Sequence, residues 1–252
     1  MGERGKRQST RVNKALADTG LCSRREADML VEAGRVRLRG KVARLGDVVL
    51  PGDELLVDGK PAGKRPDEVY IAFNKPRGVV STTDRREPNN IIDFLGYPER
   101  VFTVGRLDKD SEGLILLTNN GNIVNAVLRA GNAHEKQYTV RVNKPVTAKF
   151  LTAMANGVII LDTRTLPCRV KKLDSHTFSI VLVQGLNRQI RRMCEALGYR
   201  VAALRRERIM HITLGELPPG HWRYLTGAES ETLIEAASAN SLADAASYAD
   251  DE

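Results

Sequence analysis

Three carboxylates stand together in a polar turn between two glycines, Gly105 and Gly113. They are Asp108, Asp110 and Glu112, and an apolar run of strand length, Leu-Ile-Leu-Leu, follows the second glycine. A carboxylate can act as an acid, a base or a nucleophile, and hydrolytic glycosidases use two of them at a set separation. The alternative is a strand-entry turn in which Asp108 or Asp110 hydrogen-bonds its own backbone. Because the three acids precede the strand, the sequence alone does not bring two of them together as a pair.

The turn lies in a long stretch in which predicted strands alternate with predicted helices. Apolar and β-branched patterns predict strands at 70–73, 79–81, 114–117, 137–142 and 178–183, and helices at 123–129, 147–155 and 188–197. This order predicts an α+β domain over residues 69–228, in which helices flank a mixed, mostly antiparallel sheet.

A smaller domain is predicted over residues 10–58. Two helical patterns are separated by Gly20, and Ser23 followed three residues later by Glu26 predicts a capping box for the second helix. Strands are expected at 36–41, 47–50 and 54–57. Residues 59–68 hold two Pro and two Gly and are interpreted as a linker, and residues 1–9 as a disordered basic arm.

The charge of the chain is positive and unevenly distributed. The net charge is +8, and the last 24 residues carry seven acids and no Lys or Arg, so residues 1–228 carry +15. Such an excess favours an anionic partner, of which nucleic acid is the commonest. In the acidic segment 229–252 a short helix is expected at 230–237, and the rest is expected to be disordered.

Cofactor, metal and membrane motifs are not found in the sequence. Cys22, Cys168 and Cys194 are odd in number and far apart, which predicts neither a disulfide framework nor a zinc site and favours a cytoplasmic location. There is no G-x-G-x-x-G segment and no P-loop, so no nucleotide cofactor is expected. No apolar stretch approaches the roughly 20 residues of a membrane helix.

Residues 105–119, Gly-Arg-Leu-Asp-Lys-Asp-Ser-Glu-Gly-Leu-Ile-Leu-Leu-Thr-Asn, resemble the motif G-R-L-D-x-x-S-E-G-L-L-L-L-T-N of pseudouridine synthases. The resemblance implies an isomerase that breaks the N1–C1′ bond of uridine in RNA and reattaches the base through C5, without a cofactor. It assigns the catalytic carboxylate to Asp108 and leaves Asp110 and Glu112 to support the loop. It also implies that Arg106 occupies the space left by a flipped-out uridine. The alternative for Arg106 is a salt bridge to Asp110 or Glu112.

Three further segments resemble motifs of the same family. In His-Glu-Lys-Gln-Tyr, 134–138, the resemblance implies that Tyr138 stacks on the target base, the alternative being a half-buried strand aromatic. In 183–193 it implies that Gly185 lets RNA approach the backbone and that Arg191 holds Asp108 through a planar, two-pronged contact. The alternative there is a helix start with exposed arginines. In 204–209 it implies that Leu204 packs against the uracil ring.

The first domain resembles the S4 RNA-binding domain, through Asn-Lys-Ala-Leu at 13–16, Ser-Arg-Arg-Glu-Ala at 23–27 and Gly-Arg-Val-x-Leu-x-Gly at 34–40. Its basic residues suit RNA, although charge runs also simply solvate exposed faces. The residues expected to contact RNA are Arg24, Arg25, Arg35, Arg37, Arg39 and Lys41 here, and Lys75, Arg77, Lys109, Lys136, Arg188, Gln189, Ile190, Arg192, Arg205 and Arg208 in the second domain.

An S4-like domain ahead of this second domain points to the branch of the family that modifies ribosomal RNA. Within that branch the motifs are most similar to the enzymes of the large subunit, which implies 23S ribosomal RNA as the partner of a monomeric protein. The alternatives are the same chemistry on transfer RNA or small-subunit RNA, and a ribosome-associated RNA-binding protein without activity.

Overall fold

A computed structural model of the chain describes residues 9–128 and 134–247, and the fold divides into two compact units at Glu68. Most of the basic arm, residues 1–8, therefore lies outside the described residues. Within the described part, no helix is both long and apolar enough to cross a membrane.

The first unit contains two helices and two small antiparallel sheets. Its helices are α1 (Val12–Asp18) and α2 (Arg24–Glu32), and its strands are β1 (Thr10–Arg11), β2 (Val36–Leu38), β3 (Lys41–Val42), β4 (Val48–Val49), β5 (Leu55–Val57) and β6 (Lys60–Pro61). The sheets have the orders β3-β2-β5-β6 and β1-β4. The capping box of α2 is present, because Ser23 Oγ accepts from the backbone N–H of Glu26 at 3.1 Å and Glu26 Oε2 accepts from that of Ser23 at 2.6 Å.

The sheet of the first unit continues past residue 58, the expected end of the first domain. Asp58 and Gly59 have φ of 51° and 75°, the left-handed pair that a two-residue hairpin turn requires, and the chain continues into β6. Ala62 is then buried in the core of the first unit. The proline and glycine content of 59–68 suggested a linker, whereas the Asp-Gly turn extends the sheet.

The second unit is built on one large mixed sheet. Its strands are β7 (Tyr70–Lys75), β8 (Phe102–Val104), β9 (Glu112–Thr118), β10 (Lys136–Val142), β11 (Ile159–Ile160), β12 (Thr163–Arg164), β13 (Arg169–Lys172), β14 (Thr177–Leu182), β15 (Val201–Ile209), β16 (Ile212–Thr213) and β17 (Trp222–Tyr224). Its helices are α3 (Ile91–Leu95), α4 (Gly121–Leu128), α5 (Ala148–Ala155), α6 (Gln189–Ala196) and α7 (Gly227–Ser247).

The main sheet has the order β13-β14-β10-β15-β9-β7-β17, with β16 beside β15 and β8 beside β9, while β11 and β12 form a separate pair. Every pair in the main sheet is antiparallel except β15 with β9. The α+β class and the mostly antiparallel sheet are confirmed. The strand expected at 79–81 is wrong, since only an isolated bridge from Val80 to Asn90 forms there.

The acidic tail is more ordered than its composition suggested. One helix, α7, replaces the short helix expected at 230–237, and residues 248–252 lie outside the described part. Thr226 and Glu229 form a reciprocal capping box at its start, with distances of 3.2 and 2.9 Å. Leu233 and Ala237 are buried in the core that contains Ile123 of α4. Tertiary packing of these two apolar residues, one helical turn apart, fixes a segment that otherwise looks disordered.

Gly113 is required where β9 meets β15. Its φ is +103°, and a Cβ there would lie 2.4 Å from the carbonyl oxygen and 2.7 Å from the nitrogen of Arg206. The close approach of two backbones at this parallel junction therefore depends on the missing side chain.

We expect Gly113→Ala to lower the free energy of unfolding by about 2–4 kcal/mol, because overpacking and left-handed strain add. Gly96→Ala is the matched control: Gly96 has φ of +62°, but a Cβ there meets nothing within 4 Å. In the control, only the left-handed strain should lower the free energy of unfolding, by about 1–2 kcal/mol. Chemical denaturation measures both, and equal losses would contradict a clash at the junction.

Candidate active site

A cavity of about 320 Å³ in the second unit contains Asp108. Of the residues singled out from the sequence, it is lined by Arg106, Asp108, Lys136, Tyr138, Gly185, Arg188, Gln189, Ile190, Arg191 and Leu204. The lining therefore combines the turn before β9, the strands β10 and β15, and the start of α6. Segments that are far apart in sequence supply one site.

Hydrogen bonds to its backbone hold the turn that carries Asp108 on both sides. Ser81, which is buried, accepts from the N–H of Leu107 at 3.2 Å and donates to its carbonyl oxygen at 2.9 Å. On the other side, the N–H of Gly78 donates to the carbonyl oxygen of Lys109 at 2.8 Å. The residues that flank Asp108 are thus fixed to the segment after β7, which positions the carboxylate.

Two arginines at the start of α6 face the carboxylate. Arg188 Nη1 lies 3.5 Å and Arg191 Nε 3.8 Å from Asp108 Oδ2. Arg191 Nη2 instead donates to Ser111 Oγ and to the carbonyl oxygen of Asp110, both at 3.1 Å. The pairing of Arg191 with Asp108 is present, but the expected two-pronged contact is not, because the end of the guanidinium holds the turn. Burial, and then the neighbouring Arg188, lower the pKa of Arg191.

Tyr138 and Leu204 lie on the cavity face of neighbouring strands. In the register of β10 and β15, Tyr138 is opposite Arg206 and Val140 is opposite Leu204, so alternate residues of both strands share this face. Tyr138 is half-buried and packs against two hydrophobic clusters, which leaves part of its ring at the cavity. Leu204 is buried among the same core residues.

Within the described residues, the fold requires neither the side chain of Arg106 nor a glycine at position 185. Arg106 is exposed, and the salt bridge to Asp110 or Glu112 that was its alternative is not found within the described part of the chain. A Cβ at Gly185 would meet nothing within 4 Å, and its φ is not left-handed. Neither the fold nor the backbone conformation requires a glycine there.

The expectation that Lys75 contacts RNA is wrong. Its side chain is fully buried, and Nζ donates to the carbonyl oxygens of Val79 at 2.7 Å and Pro76 at 3.0 Å. The basic turn in the sequence suggested a surface lysine, whereas this one holds the turn from inside. Gln189 and Ile190 are also buried, although both line the cavity, so their side chains offer little surface to a phosphate.

The other residues expected to contact RNA differ in whether their side chains already bond to protein groups. Arg35 forms a two-pronged pair with Asp58 at 2.8 and 2.5 Å, and Arg208 donates to Glu135 at 3.0 Å and to Gln137 at 3.3 Å. Arg192 donates to the carbonyl oxygen and the side chain of Asn187, and Arg205 pairs with Glu207. Lys136 is half-buried, and burial lowers its pKa. Arg35 is nevertheless exposed, as are Arg37, Arg39 and Arg188, which contact Gly40, Asp53 and Asp108. The other exposed side chains in this set are those of Arg24, Arg25, Lys41, Arg77 and Lys109.

Arg206 lines the cavity and was not singled out from the sequence. It is 3% exposed, Nε donates to the carbonyl oxygen of Leu114 at 2.7 Å, and Nη2 has no hydrogen-bond partner among the described residues. An unsatisfied buried donor costs about 1–3 kcal/mol. Arg206 stands between an arginine and a glutamate, a context that suggests an exposed, charged strand. Only the register of β15 against β10 could have shown that its side chain faces the cavity.

No group of His, Cys, Asp and Glu suited to a metal ion is found among the described residues. The cavity brings together one partly exposed carboxylate, the arginines beside it and an aromatic ring.

Comparisons with known proteins agree with this site. The chain matches the family model "RNA pseudouridylate synthase" over residues 69–196 and the model "S4 domain" over residues 10–55. It is 55% identical to "Dual-specificity RNA pseudouridine synthase RluF" of Escherichia coli (strain K12), over 90% of this chain and 79% of that protein. It is 33% identical to "Ribosomal large subunit pseudouridine synthase B" of Bacillus subtilis (strain 168), over 88% and 95% of the two chains.

A solved structure described as "Crystal structure of pseudouridylate synthase" matches with a TM-score of 0.65 and 29% identity, over 88% of this chain and 99% of that chain. Fold and site together define an enzyme with an RNA-binding domain ahead of a carboxylate-containing cavity. The chain belongs to the RNA pseudouridine synthase family and is an isomerase that converts uridine in RNA to pseudouridine.

We expect the buried Lys75 to make stability depend on pH. Burial lowers its pKa from 10.5 to about 8, against the opposing effect of Asp108. Between these values the unfolded chain binds a proton that the folded one does not, so the folded state gains stability as pH rises. The free energy of unfolding of the wild type, minus that of Lys75→Met, should rise from pH 8 to pH 10.5 by up to about 1.4 kcal/mol per unit. Urea unfolding measures it, and a flat difference would contradict the shift.

Proposed function

We propose that Asp108 is the catalytic carboxylate of this pseudouridine synthase and that its substrate is 23S ribosomal RNA, modified in the cytoplasm by a monomeric enzyme. The observation that carries the first part is the fixed position of Asp108 between Arg188 and Arg191 in a cavity of about 320 Å³. A carboxylate held in this way is ready to act on the base or on the sugar of a bound uridine.

The neighbouring side chains have complementary roles in this proposal. The target uridine leaves its stack and enters the cavity, and Arg106 fills the space that it leaves. Tyr138 stacks on the base from β10, and Leu204 packs against the ring from β15. Gly185, which the fold itself does not require, leaves room for the RNA backbone at the edge of the cavity.

Ribosomal RNA is supported by the relatives and by the domain order. The Bacillus subtilis relative is named for the large ribosomal subunit, and an S4 domain precedes the catalytic unit in this chain. The name of the Escherichia coli relative describes it as having dual specificity, which favours a second RNA substrate. Transfer RNA is the second candidate. The same cavity would serve both RNAs, because only one flipped-out uridine enters it.

The test of substrate is tritium release from RNA that carries 5-tritiated uridine, followed by pseudouridine mapping in a strain without the gene. Release from 23S ribosomal RNA, and the loss of one mapped pseudouridine there, would support the proposal. Release from transfer RNA alone would overturn the ribosomal assignment while leaving the isomerase intact.

We expect Asp108→Asn to abolish turnover and to leave RNA affinity within a few fold, because losing a negative charge does not weaken the attraction to phosphate. Asp110→Asn is the matched control. Its backbone carbonyl, rather than its carboxylate, accepts from Arg191, so substantial activity should remain. Pseudouridine formation by pure Asp108→Asn protein would overturn the assignment.

We expect Arg191→Lys to slow the chemical step about a hundredfold, since small misplacements of a reacting group have effects of that size. A lysine cannot reach Asp108 while also holding Ser111 and Asp110. Arg188→Lys, at an exposed arginine with only the ionic contact, should cost a few fold. RNA affinity should not change in either variant, because the charge is kept. Single-turnover kinetics separates chemistry from binding, and the reverse order of effects would place the main contact at Arg188.

We expect deletion of residues 1–68, a compact unit by itself, to weaken RNA binding more than the chemical step. Each phosphate contact that is lost should reduce the slope of log affinity against log salt by about 0.7–0.9. An unchanged slope would mean that Arg24, Arg25 and their exposed neighbours only solvate the surface.

A further inference from the structure

Arg206 is a buried cation with one donor left over. The residue is 3% exposed and lines the same cavity as Asp108. Two of its nitrogens are held: Nε donates to the carbonyl oxygen of Leu114 at 2.7 Å, and Nη1 to that of Arg106 at 3.5 Å. Nη2 is buried and has no partner among the described residues. The guanidinium is thus fixed in orientation while one of its nitrogens lacks an acceptor.

Asp108 does not supply that acceptor. Among the described residues, its carboxylate forms ion pairs with Arg188 and Arg191, both from the start of α6, whereas Arg206 enters from β15. The carboxylate and the free nitrogen therefore lie in one cavity without pairing with each other. The acceptor for Nη2 is therefore expected from a bound molecule. The half-buried ring of Tyr138 lies opposite Arg206 on the next strand, at the same cavity.

We propose that Arg206 contacts the substrate: its Nη2 donates a hydrogen bond to a carbonyl oxygen of the target uracil and stabilises the negative charge that develops there during isomerisation. The proposal rests on the placement of the reaction at Asp108. In this proposal Asp108 acts on the sugar or on the ring, and the fixed cation of Arg206 stabilises the charge on the base.

The charge arises from the bond that must break. When the C1′–N1 bond breaks, its electron pair stays on N1 and spreads by conjugation to O2 and O4 of the ring. C5 then bonds to C1′ and loses its proton, and N1 gains one, so that product and substrate have the same atoms. Arg206 gives up no proton in this sequence. A rigid, water-excluded donor aimed at a developing oxyanion needs no reorganisation during the reaction, which makes it effective.

The test combines changes in the enzyme with changes in the base. RNA carrying 2-thiouridine or 4-thiouridine at the mapped target replaces one carbonyl oxygen by sulfur, a poorer acceptor. Single-turnover rates would be measured for the wild type, Arg206→Met and Arg223→Met. The control Arg223 gives its donors to Glu229 at 2.7 and 2.8 Å and does not line the cavity.

One sulfur substitution should slow the wild type and Arg223→Met about tenfold more than it slows Arg206→Met, because the contact is already absent in that variant. A purely structural role for Arg206 would lower all rates of the variant together and leave the sulfur effects unchanged. Equal sulfur effects in all three proteins would overturn the proposal. A wild type that forms no pseudouridine in the normal RNA would instead contradict the proposed substrate.

A second measurement leaves Arg206 unaltered, in case Arg206→Met does not fold. In Asp108→Asn protein with ¹⁵N-labelled arginine, bound RNA stays unreacted, and the Nη signal of Arg206 should shift between oxygen and sulfur at one position of the base. The Arg223 signal should not shift. No difference at Arg206 for either thiouridine would also overturn the proposal.

Discussion

The parallel contact between β9 and β15 is the constraint on which the site depends. It is short, pairing Glu112 with Arg205 and Gly113 with Arg206, and it joins two antiparallel halves of the sheet. The half with β9 brings the turn of Asp108, and the half with β15 and β10 brings Leu204 and Tyr138. Residues about ninety positions apart meet there only because Gly113 has no side chain. A displacement at this junction would separate the carboxylate from the face on which a base is expected to stack.

The arginines around the cavity differ in exposure, from the outside of the cavity to its interior. Arg106 and Arg188, on the outside, are exposed, whereas Arg191 is half-buried and Arg206 is almost completely buried. Exposed arginines attract phosphate and are screened by salt. Buried ones act on groups that have already left water, where each interaction is stronger. The same residue type can therefore serve recognition at the entrance and chemistry inside.

The sequence predicted what depends on neighbours along the chain and missed what depends on distant contacts. The capping box at Ser23 was found because its two residues are three positions apart. Ser81 was missed because its partner Leu107 is 26 positions away, and Arg206 because its acceptor Leu114 is 92 positions away. Lys75 was misjudged for the same reason, since a basic turn does not reveal that its lysine points inward. The Asp-Gly turn at 58–59 is the exception: its signal was local and was outweighed by the prolines nearby.

The helix α7 extends this dependence on distant contacts to a segment that was expected to be largely disordered. Leu233 and Ala237 belong to the same cluster as Val104, Val127 and Ile209, and these last three also line the cavity. The acids Glu231 and Glu235 are exposed on the opposite side of the helix. One face of α7 thus packs against residues that line the cavity, while the other carries the exposed acids Glu231 and Glu235. An acidic composition alone does not reveal the apolar positions Leu233 and Ala237, which pack into the core of the second unit.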